Sequence, residues 1–80
     1  MTRSEITMQV IDLMEDVFDV DDLEYNDALT AADIEEWDSL SNIRFVVAIE
    51  KEFGIRFANS EISDLENVGA MVDLILVKKT

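Results

Sequence analysis

The sequence predicts a small all-α fold, a four-helix bundle of three main helices and one short helix, with a long loop between helices 1 and 2. Apolar residues recur at helical spacing in three segments. Proline is absent, and the only two glycines leave few breaks in those segments. Because the chain has 80 residues, the length of one small domain, we expect a single domain over residues 1–80.

The first helix is expected from about Ser4 to Phe18, with Ser4 as its N-cap. Its apolar positions are three, four and one residues apart, which places them in one stripe. The stripe consists of Ile6, Val10, Leu13, Met14 and Val17. Met8, Ile11 and Phe18 widen it and are expected to contact a second helix.

Residues 19–38 follow neither a helical nor a strand period and are rich in aspartate and asparagine, which favour turns and caps. So long a loop is unusual in a small domain, and apolar side chains should pin it to the core. The candidates are Leu23, Tyr25, Leu29 and Ile34. A calcium loop starting at Asp19 is disfavoured, because Glu24 and Thr30 stand where the template needs glycine and glutamate.

The second helix is expected from Ser39 to Phe53, capped by Asp38 or Ser39, with Gly54 in the left-handed position past its end. This helix is apolar on two sides. One side carries Phe45, Val46, Ile49 and Phe53, and the other carries Leu40, Ile43 and Val47. One side must face the core, and the other is either covered by a neighbouring helix or exposed to a partner.

Two more helices are expected in the last third of the chain. A short one opens at Asn59 or Ser60 and runs through Leu65. Asn67 is expected to cap the last helix, which runs from Val68 to about Val77.

Composition excludes several kinds of function. The chain has no cysteine and no histidine, so it has no disulfide, no thiolate metal site and no imidazole base. A net charge of −13 opposes binding to nucleic acid or an anionic membrane and favours basic protein partners. No apolar run reaches the ~20 residues of a membrane span. We expect a cytoplasmic monomer without metal or catalytic residues.

Ser39 is the strongest candidate for a functional residue, because it lies where the long loop meets the second helix. Free backbone N–H groups and the positive end of the helix dipole suit a phosphate ester there. A catalytic role fits poorly, since no histidine is available to deprotonate the hydroxyl. Ser39 is therefore interpreted as an attachment point, although Trp37 and Asp38 alone are also consistent with packing and ordinary helix-start chemistry.

The stretch from Trp37 to Ile55 resembles the carrier proteins that bear 4′-phosphopantetheine. These include acyl carrier proteins and the related peptidyl and D-alanyl carriers. The likeness rests on Asp38-Ser39-Leu40 followed, at this spacing, by an apolar helix ending in the run EKEFGI at 50–55. Length, acidity and the long first loop extend the likeness to nearly the whole chain.

The resemblance implies that a phosphopantetheinyl transferase, using coenzyme A and Mg²⁺, attaches 4′-phosphopantetheine to Ser39. The thiol of this arm would carry acyl groups as thioesters. Asp38 would assist the metal and phosphate chemistry of the transferase or cap the helix. The implied core residues are Phe45, Val46, Ile49 and Phe53. The implied partner-binding residues are Leu40, Ile43 and Val47, with Arg44 where the family commonly has an acidic residue.

The expected partners are acyl-transferring, ligating and condensing enzymes with basic docking surfaces, of a fatty-acid, polyketide or other specialised pathway. Glu36 and Trp37 precede Asp38 where fatty-acid carriers often have a glycine, and a tryptophan there resembles discrete carriers of specialised pathways and D-alanyl carriers. One alternative is a D-alanyl, aminoacyl or peptidyl carrier. Another is an unmodified acidic adaptor that binds basic partners through the second helix.

Overall fold

The computed structural model describes residues 2–79 and contains only helices and connecting segments within that range. The helices are α1 (Arg3–Phe18), a 3₁₀ turn (Ala31–Asp33), α2 (Ser39–Phe53), α3 (Asn59–Ser63) and α4 (Val68–Lys79). The prediction of three main helices and one short helix is confirmed. Helix α1 packs against both α2 and α4. No helix within residues 2–79 has the length and apolar content needed to cross a membrane.

Each long helix buries one apolar stripe, and the three stripes meet in one core. The buried residues of the helices are Ile6, Val10, Met14, Phe18, Phe45, Val46, Ile49, Phe53, Val68, Met71, Val72 and Ile75. Complete burial of one such large apolar side chain stabilises a fold by about 1.5–3 kcal/mol. Within residues 2–79 no polar side chain is buried, so this core carries no desolvation cost of that kind.

The N-terminus of α1 differs from the prediction. The helix begins at Arg3, and its N-cap is Thr2 rather than Ser4. The Thr2 Oγ1 accepts from the Glu5 backbone N–H at 3.2 Å, and the Glu5 Oε1 accepts from the Thr2 N–H at 2.9 Å. Ser4 has Thr7 three residues later, so it lacks the glutamate that makes this reciprocal pair possible.

Two helix ends and the environment of one residue also differ from the prediction. Helix α3 ends at Ser63, before Leu65, because the Leu65 N–H bonds the Ile62 carbonyl in a tighter turn. Helix α4 continues past Val77 to Lys79. Met8, which was expected to contact a second helix, is 69% exposed.

The long loop is pinned as predicted. Ile34 is buried, and the other three candidates, Leu23, Tyr25 and Leu29, are half-buried against the core. A polar contact adds to these, since the Leu23 N–H donates to the Glu15 Oε2 on α1 at 3.0 Å. The loop is therefore held to the bundle along its length.

The loop also completes the N-terminus of α4. The Val68 N–H donates to the Leu29 carbonyl oxygen at 2.9 Å. The Gly69 N–H donates to the Asp27 carbonyl oxygen at the same distance. The next two amides bond Asn67, one to its Oδ1 at 2.8 Å and one to its carbonyl oxygen at 3.3 Å. The first three amides of α4, which have no intrahelical acceptor, are thus satisfied, the Met71 bond to the Asn67 carbonyl begins the helical bonding, and Asn67 is confirmed as the cap.

Arg3 ties the loop to α1 and α4. Its Nη2 contacts the Asp27 Oδ1 and its Nε contacts the Asp73 Oδ1, both at 2.9 Å. The Tyr25 hydroxyl also donates to the Asp27 carboxylate. The bonds from Tyr25 and Arg3 lower the pKa of Asp27, whereas burial and the bond to Asp27 raise the pKa of Tyr25 to about 12.

Helix α2 has the bounds and caps that the sequence predicts. Of the two predicted caps, Asp38 fills the position: its Oδ1 accepts from the Ser41 N–H at 2.8 Å. Hydrogen bonding to Ser41 lowers the pKa of Asp38, since it stabilises the carboxylate. At the other end, Gly54 adopts a left-handed conformation with φ of 65°.

Replacing Gly69 with alanine should destabilise the fold by about 1–3 kcal/mol, despite the helix propensity of alanine. A Cβ atom at this position would lie 2.8 Å from both the Cβ and the carbonyl oxygen of Asp27. Urea unfolding of Gly69→Ala measures the loss of unfolding free energy.

The matched control is Gly54→Asn, where no atom lies within 4 Å of an added Cβ and asparagine tolerates the left-handed conformation. We expect this variant to lose less than about 1 kcal/mol. Equal stability of Gly69→Ala and the wild type would contradict the close approach of loop and helix.

Replacing Asp38 with alanine should lower the thermal midpoint by about 4–8 °C, because the Ser41 N–H loses its acceptor. Asp38→Asn keeps an acceptor and should lose less. The folded-state pKa of Asp38 is depressed, so its charge stabilises the fold above the unfolded pKa of about 3.9. That part of the stability disappears as the pH falls through the folded pKa.

Thermal scans of the wild type and Asp38→Asn from pH 7 downward test this sign. The advantage of the wild type should be constant at neutral pH and shrink below about pH 4. An advantage that grows on acidification would contradict the proposed role of the carboxylate.

Candidate functional site

Trp37 fixes the end of the long loop against the bundle. Its ring stacks on Phe18 with centroids 5.1 Å apart and meets Phe45 edge to face at 5.6 Å. Its Nε1 donates to the Asn42 Oδ1 at 3.0 Å, so the polar atom of the indole is satisfied. The residues that follow Trp37 therefore enter α2 from a fixed position.

Asp38 and Ser39 form the start of α2, and both side chains are exposed. The carbonyl oxygen of Asp38 accepts from the Asn42 N–H at 2.9 Å, which begins the helical bonding. The resemblance implies two roles for Asp38, assisting the transferase or capping the helix. In the structure Asp38 caps α2. Ser39 is the first helical residue, so its hydroxyl lies at the positive end of the α2 dipole.

A cavity of about 640 Å³ opens beside Ser39. It lies among the loop end, α2, α3 and the start of α4. Its lining comprises Thr30, Ala31, Ala32, Trp37, Asp38, Ser39, Asn42, Val46, Ile62, Leu65, Glu66, Asn67, Val68 and Met71. The volume falls within the usual 300–1,000 Å³ of small-molecule sites, and apolar side chains with a few polar groups are their typical lining.

The exposed face of α2 carries the second apolar side of this helix. The sequence allowed this side to be covered by a neighbouring helix or exposed to a partner. Leu40 is 60% exposed, Ile43 is 61% exposed and Val47 is 41% exposed. Arg44 is exposed beside them. The opposite stripe, from Phe45 to Phe53, faces the core. Within residues 2–79 no other helix covers this apolar face.

Acidic side chains surround the approach to Ser39. Glu35, Glu36 and Asp38 precede it directly, and all three are exposed. Sequence reasoning identified this negative field from the distribution of charge: twelve of the nineteen acidic residues lie between Asp12 and Asp38. The field would attract a basic protein surface to the start of α2.

Sequence reasoning missed most of the residues that line the cavity beside Ser39. Asn42 is the one with a local signal, because it is a polar residue on a strongly apolar helix and lies five positions after Trp37. Ile62, Leu65 and Met71 carry no such signal. They look like core positions until the packing of α3 and α4 places them around a shared space.

The site offers one accessible hydroxyl at a helix N-terminus, next to a largely apolar cavity. It fits 4′-phosphopantetheine on three counts. The exposed Ser39 is within reach of a modifying enzyme. A phosphate at this position would meet the positive end of α2. The adjoining cavity is large enough to receive part of a flexible arm.

Comparison with known proteins agrees with this geometry. The family model of the phosphopantetheine attachment site matches residues 8–75. The acyl carrier protein of Acidothermus cellulolyticus is 29% identical over 75 residues, which cover 94% of this chain and 89% of that protein. Polyketide-8 synthase acyl carrier protein 2 of Streptomyces avermitilis is 30% identical over 70 residues, covering 88% and 80%. No solved structure matches the chain.

The family match spans most of the chain and includes the loop, α2 and α4 that build the site. Both relatives are also matched over most of their own length. Together with the helical bundle, these matches identify the chain as a member of the phosphopantetheine-binding acyl carrier protein family.

Proposed function

We propose that this protein carries acyl groups on a 4′-phosphopantetheine arm attached to Ser39 and shuttles them between biosynthetic enzymes. The observation that carries the proposal is the position of Ser39, exposed at the first turn of α2 and at the edge of the 640 Å³ cavity. When bound, the arm supplies the thiol that holds the acyl group as a thioester. The chain contains no cysteine to supply one.

In this proposal Asp38 is a positioning residue. Its side chain accepts a hydrogen bond from the Ser41 N–H and stabilises the first turn of α2. This turn would present the Ser39 hydroxyl to the transferase. Trp37 holds the preceding segment through Phe18 and Phe45. The protein therefore provides a rigid attachment point and leaves the chemical steps to its partners.

The cavity would shelter the arm and the first atoms of the cargo from water. Val46, Ile62, Leu65, Val68 and Met71 provide its apolar lining. Burial of an apolar acyl group against these side chains is favoured by about 25 cal/mol per Å². A half-open cavity of this kind would still release the cargo, as a shuttle must.

The partners would be a phosphopantetheinyl transferase and acyl-transferring, ligating or condensing enzymes. Leu40, Ile43 and Val47 would form the apolar part of the docking surface, with Arg44 beside them. The acids near Ser39 would speed encounter with basic surfaces and make the association sensitive to salt. Modest affinity is expected, because the carrier must dissociate between enzymes.

The cargo is proposed to be an acyl group of a fatty-acid, polyketide or other specialised pathway. The names of the two relatives support this class, since one is an acyl carrier protein and the other belongs to a polyketide synthase. An aminoacyl, D-alanyl or peptidyl cargo on the same arm is the alternative. The intact mass of the protein purified from its native host distinguishes them, because arm and cargo both add mass.

Incubation with coenzyme A, Mg²⁺ and a promiscuous phosphopantetheinyl transferase should add one phosphopantetheinyl group to the protein. Intact-mass spectrometry measures the product. Ser39→Ala should gain no mass, because the acceptor hydroxyl is missing.

Ser41→Ala is the matched control, since Ser41 lies in the same helical turn but is half-buried. This variant should be modified to the same extent as the wild type. Loss of modification in Ser41→Ala with retention in Ser39→Ala would move the attachment point. An unmodified wild type with several transferases would refute the arm altogether.

Ile43→Asp should reduce the kcat/KM of the transferase reaction about tenfold, because it places a charge in the apolar docking surface. The side chain is exposed, so the fold should be retained, which circular dichroism checks. Met8→Asp, at a similarly exposed position on α1, should leave the reaction rate unchanged.

This pair also separates the carrier from an unmodified adaptor. An adaptor would lose its binding partner in Ile43→Asp but would keep full function in Ser39→Ala. A carrier should be impaired by both changes, at docking in the first variant and at loading in the second. Equal transferase kinetics in Ile43→Asp and the wild type would argue against docking through this face.

A further inference from the structure

The exposed face of α2 is basic as well as apolar, although the protein as a whole is strongly acidic. Successive residues of a helix are ~100° apart, so residues four and seven positions apart share a side. Arg44 and Lys51 therefore lie on the same side as Leu40 and Val47, and both are exposed. Of the acidic residues of α2, Glu50 lies next to Ile43 around the helix, seven positions after it, and Glu52 lies farther away.

The two acidic residues of α2 differ in position or exposure from Arg44 and Lys51. Glu50 is half-buried, and its Oε2 accepts from the Phe57 N–H at 2.9 Å. Glu52 lies about 120° from Leu40 around the helix axis, toward the side of Phe45. The outward side defined by Leu40, Ile43, Arg44, Val47 and Lys51 consequently presents two exposed cations, and the carboxylate at its edge, Glu50, is half-buried and bonded to the Phe57 N–H. We call this side the outward face of α2.

The cations of the outward face have no partner within the described part of the chain. Arg3 contacts Asp27 and Asp73, and Lys78 contacts Glu61 at 3.0 Å. None of the ion pairs within residues 2–79 includes Arg44 or Lys51. A chain with nineteen acidic residues thus leaves two of its six cations unpaired on one helix face.

Fold stability does not account for Arg44. A cation gains from the helix dipole only in the last turn, which suits Lys51 but not Arg44, the sixth residue of α2. Solubility is provided by the net charge of −13 and needs no added cation. An exposed, unpaired arginine between Ile43 and Val47 is instead typical of a contact residue, since arginine is enriched at interface centres.

We propose that the outward face of α2 docks on a partner enzyme that presents an apolar hollow flanked by carboxylates, which pair with Arg44 and Lys51. The proposal rests on the proposed function only in taking this face as the docking surface. It adds carboxylates to the basic docking surface expected of the partner enzymes. Basic groups of the partner would pair with Glu35, Glu36 and Asp38 near Ser39. Its carboxylates would pair with Arg44 and Lys51 farther along α2.

Charge of both signs along one helix fixes the direction of docking. A rise of ~1.5 Å per residue places Arg44 about 9 Å and Lys51 about 20 Å beyond Asp38 along the α2 axis. A partner that matches this order can bind α2 in one direction only, with its basic end at Ser39. A uniformly basic surface would leave Arg44 and Lys51 facing like charges, which is a penalty that discriminates between enzymes.

Carbodiimide cross-linking in an extract of the host tests the proposal directly, because the reagent joins an amine to a carboxylate that touches it. The purified, arm-loaded protein supplies the amine of Lys51, and Arg44→Lys adds a second amine on the same face. Tandem mass spectrometry identifies the joined residues. We expect links from positions 44 and 51 to Asp or Glu side chains of a host enzyme.

Arg56→Lys is the matched control, because Arg56 is also exposed and outside the ion pairs of residues 2–79 but lies in the connector after α2. It should yield no such link. Links found only between carboxylates of this protein and lysines of the enzyme, with none from positions 44 and 51, would overturn the proposal. Links from these positions to a second copy of this protein would overturn it as well.

The cross-linked enzyme, once purified, allows a quantitative test. Combined Arg44→Glu and Lys51→Glu should weaken its affinity for the carrier about tenfold or more, measured by calorimetric titration. Arg56→Glu should change the affinity less than about twofold. Equal binding of the double variant and the wild type would refute the pairing.

These outcomes are separate from the fate of the proposed function. A host-purified protein without an arm would refute attachment at Ser39. The cross-links from positions 44 and 51 would still decide whether the outward face of α2 meets carboxylates.

Discussion

The packing of Trp37 against Phe18 and Phe45 is the contact on which the site depends. It lies at the end of a long loop whose ordering costs conformational entropy, and it couples that loop to α1 and α2 together. Aromatic pairs at these separations contribute about 0.5–1.5 kcal/mol beyond the area they bury. Because Ser39 follows Trp37 by two residues, the same contact sets the position of the Ser39 hydroxyl.

The loop also has a second structural task at the start of α4. Its carbonyl groups complete the start of α4, and Arg3 holds Asp27 beside that helix. The close approach of Gly69 to Asp27 makes this junction tight. The loop thus links all three long helices, and the cavity beside Ser39 is the space left where it, α2, α3 and α4 meet.

Helix α2 was the most predictable element, because its signals are local. Asp38 supplies a capping carboxylate, Gly54 supplies a left-handed residue, and an uninterrupted apolar helix joins them. The start of α1 is also encoded locally, in the reciprocal capping pair of Thr2 and Glu5, whereas the apolar stripe, which begins at Ile6, favours a start near Ser4.

The amino-acid sequence by itself determined the helices, the candidate hydroxyl at Ser39 and the acidic field around it, because each depends on residues that are neighbours along the chain. Tertiary structure decided which side of α2 is buried, since both sides are apolar and only packing against α1 distinguishes them. It also decided the cavity and the unpaired state of Arg44. These are properties of distances between residues far apart in sequence, which no local pattern encodes.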